Sequence, residues 1–318
     1  MQRNLVTGTS AMKRAVSISI GSSKRDKAVE VNLLGETIRI ERIGTDGDME
    51  KAAQLYGEMD GKVEAFGVGG ADLGLLVDHK YYVLHSVAKL VRLVKKTPVV
   101  DGSGLKITLE KTVAQSLEAS IKPYLDKVGR KAFVVTGSDR WGMLDSCVRA
   151  GYDITIGDLM FTLGIPIPLH SERSVKVLAA LLMPVASRLP FEWVYPIGAE
   201  QEKRTPKWVK YFQAANIVAG DCHYVKKYMP DRMDGKVIVT NTTTPADVEL
   251  FRSSGVKYLL TTTPVLDGRS FGTNMMEAAL IAATGRTEPV DYNHPGSYLT
   301  DLEKLLAQLK FEPQLQEL

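Results

Sequence analysis

Cysteine is scarce: the 318 residues hold only Cys147 and Cys222, far apart and not in a metal-ligand spacing. That excludes a disulfide framework or a structural zinc site and points to a reducing compartment. Charge of one sign is lacking as well. A formal net charge of +3, with no basic stripe carrying interleaved aromatics, gives nucleic acid no footing. The longest apolar run, Val177 to Ala186, is broken by Pro184 and too short for a bilayer, and the first residues carry no apolar signal core. The patterns G-x-S-x-G, H-E-x-x-H and G-x-x-x-x-G-K-[ST] do not occur. His79, His85, His170 and His294 have no ligand spacing, so no metal is expected. A chain 44% hydrophobic and 24% charged is instead that of a globular, cytoplasmic protein long enough for two domains.

What is present centres on Lys131 to Met160. A short apolar run to Val135 enters a turn bracketed by Gly137 and Gly142, a helix-length segment closes at Gly151, and a second alternating run ends in Asp158. Strand, glycine turn, helix, strand and terminal acid are the parts of a dinucleotide-binding βαβ unit. Amides of the turn (Gly137, Ser138, Gly142) would cradle a pyrophosphate, with charge-assisted hydrogen bonds from Arg140, and Asp158 would accept hydrogen bonds from a ribose hydroxyl, favouring NAD over NADP. The turn reads G-S-D-R-W-G, without the middle glycine, and Asp139 inside it would have to point away from a phosphate. An ordinary crossover whose glycines serve only the turn is the alternative.

Around this unit the pattern predicts an α/β fold. Residues 12–127 read as a smaller α+β domain, with strands at Arg14–Ile20 and Lys62–Gly70, hairpins at Val29–Ile43 and Asp72–Leu84, and one long helix from Leu105 to Val128. Residues 128–285 read as a doubly wound parallel sheet with strands at Ala132–Val135, Asp153–Ile156, Glu192–Pro196, Asn216–Ala219, Lys236–Thr240 and Lys257–Thr261. Asn274 and Glu277 have the spacing of a capping box. Residues 286–318 read as a tail whose helix, Ser297 to Leu309, returns to the first domain and whose end frays, after a loose leader of about ten residues at the other end of the chain.

Several segments could carry chemistry. Lys106 and Asp101 stand in the glycine-rich turn TPVVDGSGLK around Ser103, where a desolvated lysine beside a carboxylate serves as acid or base. A surface ion pair is the bland alternative. The strand-end segments GDCH, TNTTTP and TTTPVLDGRSFGTN bring Asn241, Thr242, Arg269 and Asn274 toward the same sheet edge. Arg269 suits a substrate carboxylate, since a guanidinium meets one with two parallel hydrogen bonds.

The stretches TPVVDGSGLK, VTNTTT and GRSFGTNMMEA make the whole chain resemble bacterial proteins labelled quinate 5-dehydrogenase, within the shikimate/quinate dehydrogenase superfamily. That resemblance implies NAD(P)-dependent oxidation of a ring hydroxyl on a quinate- or shikimate-like acid, with Asn241 and Thr242 beside the nicotinamide. The superfamily's lysine-bearing substrate motif and its later asparagine-threonine-aspartate motif are absent, so Lys106 corresponds in role only. The expectation is a cytoplasmic dehydrogenase, possible as a homodimer: Lys106 as acid/base with Asp101, NAD(P) on the glycine turn, and substrate held by Arg269, Ser103 and Asn274. A non-catalytic metabolite- or nucleotide-sensing protein and a transferase with another phosphate-bearing ligand are the rivals. All three lean on the turn being an open anion cradle.

Overall fold

The protein is described from a computed structural model covering residues 12–189, 204–263, 265–266 and 269–318, the pairs 265–266 and 269–270 by backbone alone. The loose leader and the Glu192–Pro196 strand fall outside these residues.

The first half builds a five-stranded mixed sheet. Strands β1 (Lys13–Ser19), β2 (Lys27–Leu33) and β3 (Glu36–Gly44) precede helix α1 (Met49–Met59), strand β4 (Ala65–Gly69), the hairpin β5 (Gly74–Val77) and β6 (Lys80–Val83), the single helical turn α2 (His85–Ala88) and strand β7 (Val99–Val100). The sheet order is β2-β3-β1-β4-β7, parallel except where β2 meets β3. Alternation along β1 sends Val16 and Ile18 to one face and Ala15 to the other.

The expected long helix is three pieces: α3 (Ser103–Thr108), a 3₁₀ turn at Glu110–Thr112, and α4 (Val113–Val128). Glu110 is 1% exposed and turned toward the second half. Amphipathic spacing cannot reveal a helix broken to bury two charged side chains.

The second half follows the expected rhythm: β8 (Lys131–Val134), α5 (Trp141–Arg149), β9 (Asp153–Ile156), α6 (Asp158–Thr162), α7 (Glu172–Ala186), α8 (Val209–Ala214), β10 (Ile217–Ala219), α9 (Cys222–Tyr228), β11 (Val237–Thr240), α10 (Pro245–Ser253) and β12 (Tyr258–Thr261). Pairing runs β12-β11-β10-β8-β9, all parallel. Both faces are apolar, Val134, Ile217 and Val239 on one and Phe133, Val218 and Ile238 on the other, as a sheet covered on both sides requires.

The last sixty residues depart most from expectation. After the backbone hairpin β13 (Val265–Leu266) and β14 (Arg269–Ser270), helix α11 (Thr273–Thr284) packs on the first sheet, not the parallel one. It is buried nearly all round because α12 (Tyr298–Gln308) covers it from outside. Its N-cap is Gly272; Asn274 instead donates to Ser17 Oγ at 2.6 Å, and Glu277 points into the core, so the capping box does not form. The end does not fray: β15 (Gln314–Glu317) pairs antiparallel with β12 and completes a six-stranded sheet.

Candidate functional site

Parallel strands put their carboxyl ends, and any ligand, on one edge. Here the edges of the two sheets face each other. Each of five strands is followed within five residues by an aspartate: Asp72 after β4, Asp101 after β7, Asp139 after β8, Asp158 after β9 and Asp221 after β10.

Lys106 is the hinge of the arrangement. Its Nζ donates to Asp72 Oδ1 and to Asp139 Oδ1, each at 2.9 Å, joining the halves of the molecule. Asp101 is not its partner; Asp101 accepts from Leu73 N at 2.7 Å and Ser103 N at 2.9 Å. It thereby ties the loop bearing Asp72 to the helix start bearing Lys106. Gly102 between them has φ +95° and its α-carbon faces Thr273 and Asn274, a place where a side chain has no room. Ser103 lies in the shallow cleft with Lys106, Asp139, Trp141 and Gly74.

Arg140 forms the second knot. Its Nη1 reaches Glu110 Oε1 at 2.7 Å, Nη2 reaches Asp221 Oδ2 at 2.5 Å, and Nε lies 3.2 Å from Asp139 Oδ2. Asn241 Nδ2 donates to the same Asp221 oxygen at 3.1 Å, and its Oδ1 accepts from Cys222 N. Thr242 Oγ1 is bonded to the carbonyl of Phe271. Asn274 is spent on Ser17, and the Arg269 side chain lies outside the described residues. Among the described residues no cluster of three or more metal-ligating side chains occurs.

Burial sets the protonation states. It works to lower the pKa of Lys106, but Asp139 and Asp72 raise that pKa by more, so Lys106 stays an ammonium. Burial, with Asp139 and Asp101 nearby, holds Asp72 above the ordinary carboxylate range against the pull of Lys106. Asp139 is held below that range because Lys106 and Arg140 outweigh its burial. Burial pushes Glu110 up to about 7 despite Arg140. A carboxyl held above its ordinary range at Asp72, next to a carboxylate held below it at Asp139 and the Lys106 ammonium, is the arrangement of an acid–base pair.

The glycine turn is not an open cradle. Gly137 N and Ser138 N donate to the two carboxylate oxygens of Asp158, at 2.6 and 2.9 Å, and Asp158 is 2% exposed. The carboxylate expected at a ribose occupies the amides expected at a phosphate. A β-carbon added at Gly142 would meet the Lys106 carbonyl oxygen at 2.5 Å, so that glycine admits the α3 backbone and leaves no gap for a pyrophosphate. Arg140 points inward to Glu110 and Asp221. This set does not fit a dinucleotide pyrophosphate on the turn.

Three of the residues that build the site were not singled out as functional from the sequence: Asp72, Glu110 and Asp139. The recurrence of aspartate after strand ends was the available signal.

Residues 104–318 match the family described as Domain of unknown function (DUF8754), and residues 14–101 match Domain of unknown function (DUF8753). No curated protein matches. Similar solved structures include the NAD-dependent malic enzyme of Thermotoga maritima, 12% identical, covering 93% of this chain and 77% of that one with a TM-score of 0.40. A periplasmic sugar binding protein of Legionella pneumophila is 11% identical, covering 87% and 97%, with a TM-score of 0.37. A carbohydrate transporter solute binding protein of Agrobacterium radiobacter, in complex with D-arabinose, is 14% identical, covering 92% and 99%, with a TM-score of 0.32.

Proposed function

We propose that the chain, which belongs to the DUF8754 family, is an enzyme exchanging a proton with a small hydroxyl-bearing molecule in the cleft between its two sheets. The observation that carries the reading is Lys106 clasped between Asp72 and Asp139 where the strand ends of both sheets converge. Asp72 is the exchanging group: held above the usual carboxylate range, it both holds and releases a proton near neutrality. Lys106 touches both carboxylates and keeps one ionised while the other carries the proton. Ser103, at the cleft wall, is placed to accept or donate a hydrogen bond to the ligand. Two buried free thiols suit a reducing, cytoplasmic setting.

An NAD(P)-dependent oxidation is the second reading. Its support is Asn241 and Thr242, which follow β11, Asn241 bonded to the Asp221 that Arg140 also holds; the resembled superfamily keeps its nicotinamide beside such a segment. A bound dinucleotide would supply the hydride acceptor. The Asp158-filled turn counts against its pyrophosphate lying on Gly137–Gly142, so this reading needs the cofactor held by other groups.

A thermal-shift series on the intact protein separates the two. Small hydroxylated ligands are expected to raise the melting temperature by a few degrees at about a hundred times Kd, since a ligand of the native state stabilises it by roughly 2.7 kcal/mol at that excess. NAD(H) and NADP(H) are expected to give no shift. Lys106→Met should remove the response that Lys106→Arg keeps in part; a response unchanged in Lys106→Met would sink the proposal, and a dinucleotide shift would promote the second reading.

A further inference from the structure

The first sheet has a switch point of its own. Its parallel strands lie in the order β3-β1-β4-β7, so the chain leaves β1 toward β3 and leaves β4 toward β7, on opposite sides. In open sheets of this kind a ligand crevice opens beyond the carboxyl ends of the two strands whose connections part, here β1 and β4. The loop after β1 reads Ile20-Gly21-Ser22-Ser23-Lys24-Arg25, and a 3₁₀ turn at Ser23–Arg25 brings Arg25 back to Gly21.

Two guanidinium groups meet there. A β-carbon on Gly21 would lie 2.8 Å from Arg25 Nη2, 3.1 Å from Arg42 Nη2 and 3.3 Å from Ser19 Oγ. The two cations therefore stand within about 6 Å of each other, where like charges repel. Asp26 serves only one of them: its Oδ1 accepts from Arg42 Nη1 at 2.8 Å and from Gly44 N at 2.7 Å. Asp46 is turned to Ser23 N, at 2.8 Å. Arg25 has no ion pair among the described residues, although its neighbour Arg42 is held below the usual guanidinium range by burial and by Arg25 itself.

Ser19 supplies a second, independent observation. The residue is 3% exposed, and its Oγ accepts from Gly21 N at 3.1 Å and from Arg42 Nη2 at 3.0 Å. Both neighbours are donors, so the hydroxyl hydrogen is directed elsewhere, and no described residue accepts it. A buried donor left without an acceptor is costly, and between two guanidiniums the acceptor that suits it is an anionic oxygen. Gly69 and Gly70, at the end of β4, border the same hydroxyl with bare backbone: a β-carbon on them would lie 3.0 and 3.3 Å from Ser19 Oγ.

We propose that the loop after β1 binds a phosphate monoester, held between Arg25 and Arg42 with the Ser19 hydroxyl donating to one of its oxygens. A phosphoryl group brings up to two negative charges for two cations, and three terminal oxygens for donors that converge from different directions. A carboxylate brings one charge and two oxygens. The site uses none of the groups around Lys106, and the inference does not rest on the reading of that centre.

Calorimetric titration of the unmodified protein at pH 8 and fixed ionic strength tests it, with inorganic phosphate, ribose 5-phosphate, ribose and acetate as probes. Expected is saturable binding of both phosphates, tighter for the ester, and none of ribose or acetate. Arg25→Gln, a change on an exposed turn, should weaken the binding of ribose 5-phosphate about tenfold, the worth of one hydrogen bond to a charged group, and Arg25→Lys should recover part of that loss. Absence of saturable phosphate binding overturns the inference, as does acetate binding as tightly as phosphate. Equal affinity for inorganic phosphate and the ester overturns the ester and leaves an adventitious ion only. Full affinity in Arg25→Gln overturns the assignment to this loop.

Discussion

Gly142 shows how one missing side chain holds two halves of a molecule together. Its α-carbon lies so close to the Lys106 carbonyl that an alanine methyl would sit 2.5 Å from that oxygen and 2.9 Å from the Glu110 β-carbon. The two neighbours lie on α3 and on the 3₁₀ turn that directly follows it, so relief would shift the segment that carries Lys106 and pull the ammonium away from its carboxylates. Alanine favours a helix over glycine by about 1 kcal/mol, while overpacking costs about 1–3 kcal/mol. Gly142→Ala is therefore expected to lose up to about 2 kcal/mol of stability, read as a lower urea midpoint at unchanged slope. Were the glycine serving a phosphate, stability would rise and only nucleotide binding would suffer. The strand-turn-helix reading found this glycine; what it pressed against was not legible, because Lys106 lies 36 positions upstream and the contact is backbone to backbone.

At the scale of elements, legibility follows the reach of the signal. Strands β8, β9, β11 and β12 fall within a residue or so of their expected ends, because alternation is local. Helix α11 was misplaced because MMEAALIAA is apolar all round and so has no face to say which sheet it covers. Its one acid, Glu277, suggested a cap, yet it is fully buried and accepts the Tyr292 and Tyr298 hydroxyls at 2.8 and 2.5 Å. Burial pushes its carboxyl up to about 7 from an ordinary 4.5. The native state thus binds the proton more tightly than the unfolded chain: the stabilisation is complete below about pH 4.5, falls as pH rises, and is gone above about 7. A gap of that size corresponds to a few kcal/mol across the window. Glu277→Gln, which keeps a hydrogen-bond acceptor but cannot ionise, should flatten the decline of stability between pH 5 and 7 in denaturation curves; an unaltered slope would show that Glu277 does not titrate there.

Across the whole molecule the chain passes between the halves more than once. It leaves the first sheet through α4, returns at α11, stays through α12, and goes back to the parallel sheet as β15. One apolar core runs from Val16 and Ile18 through Leu117 and Leu125 to Val134 and Ile217. Hydrophobic burial of this extent ties the stability of each half to the other. A fragment of residues 12–127 lacks α11, whose burial covers Ala15, Ile38 and Ile40, and is expected to be unfolded or aggregated when made alone. Coexpression with residues 128–318 should restore it. Circular dichroism of a soluble, cooperatively melting 12–127 fragment would refute this.

The closing strand also imposes an order on biosynthesis. Residues from the first fifty or so cannot bury their second face until the ribosome has passed Thr284, and β12 has no partner on its outer edge until Gln314 has emerged. The first sheet and β12 therefore wait with apolar surface uncovered while the later segments emerge. A chain cut short of Gln314 would not lose an ornament; it would reach the quality-control machinery with its parallel sheet never closed.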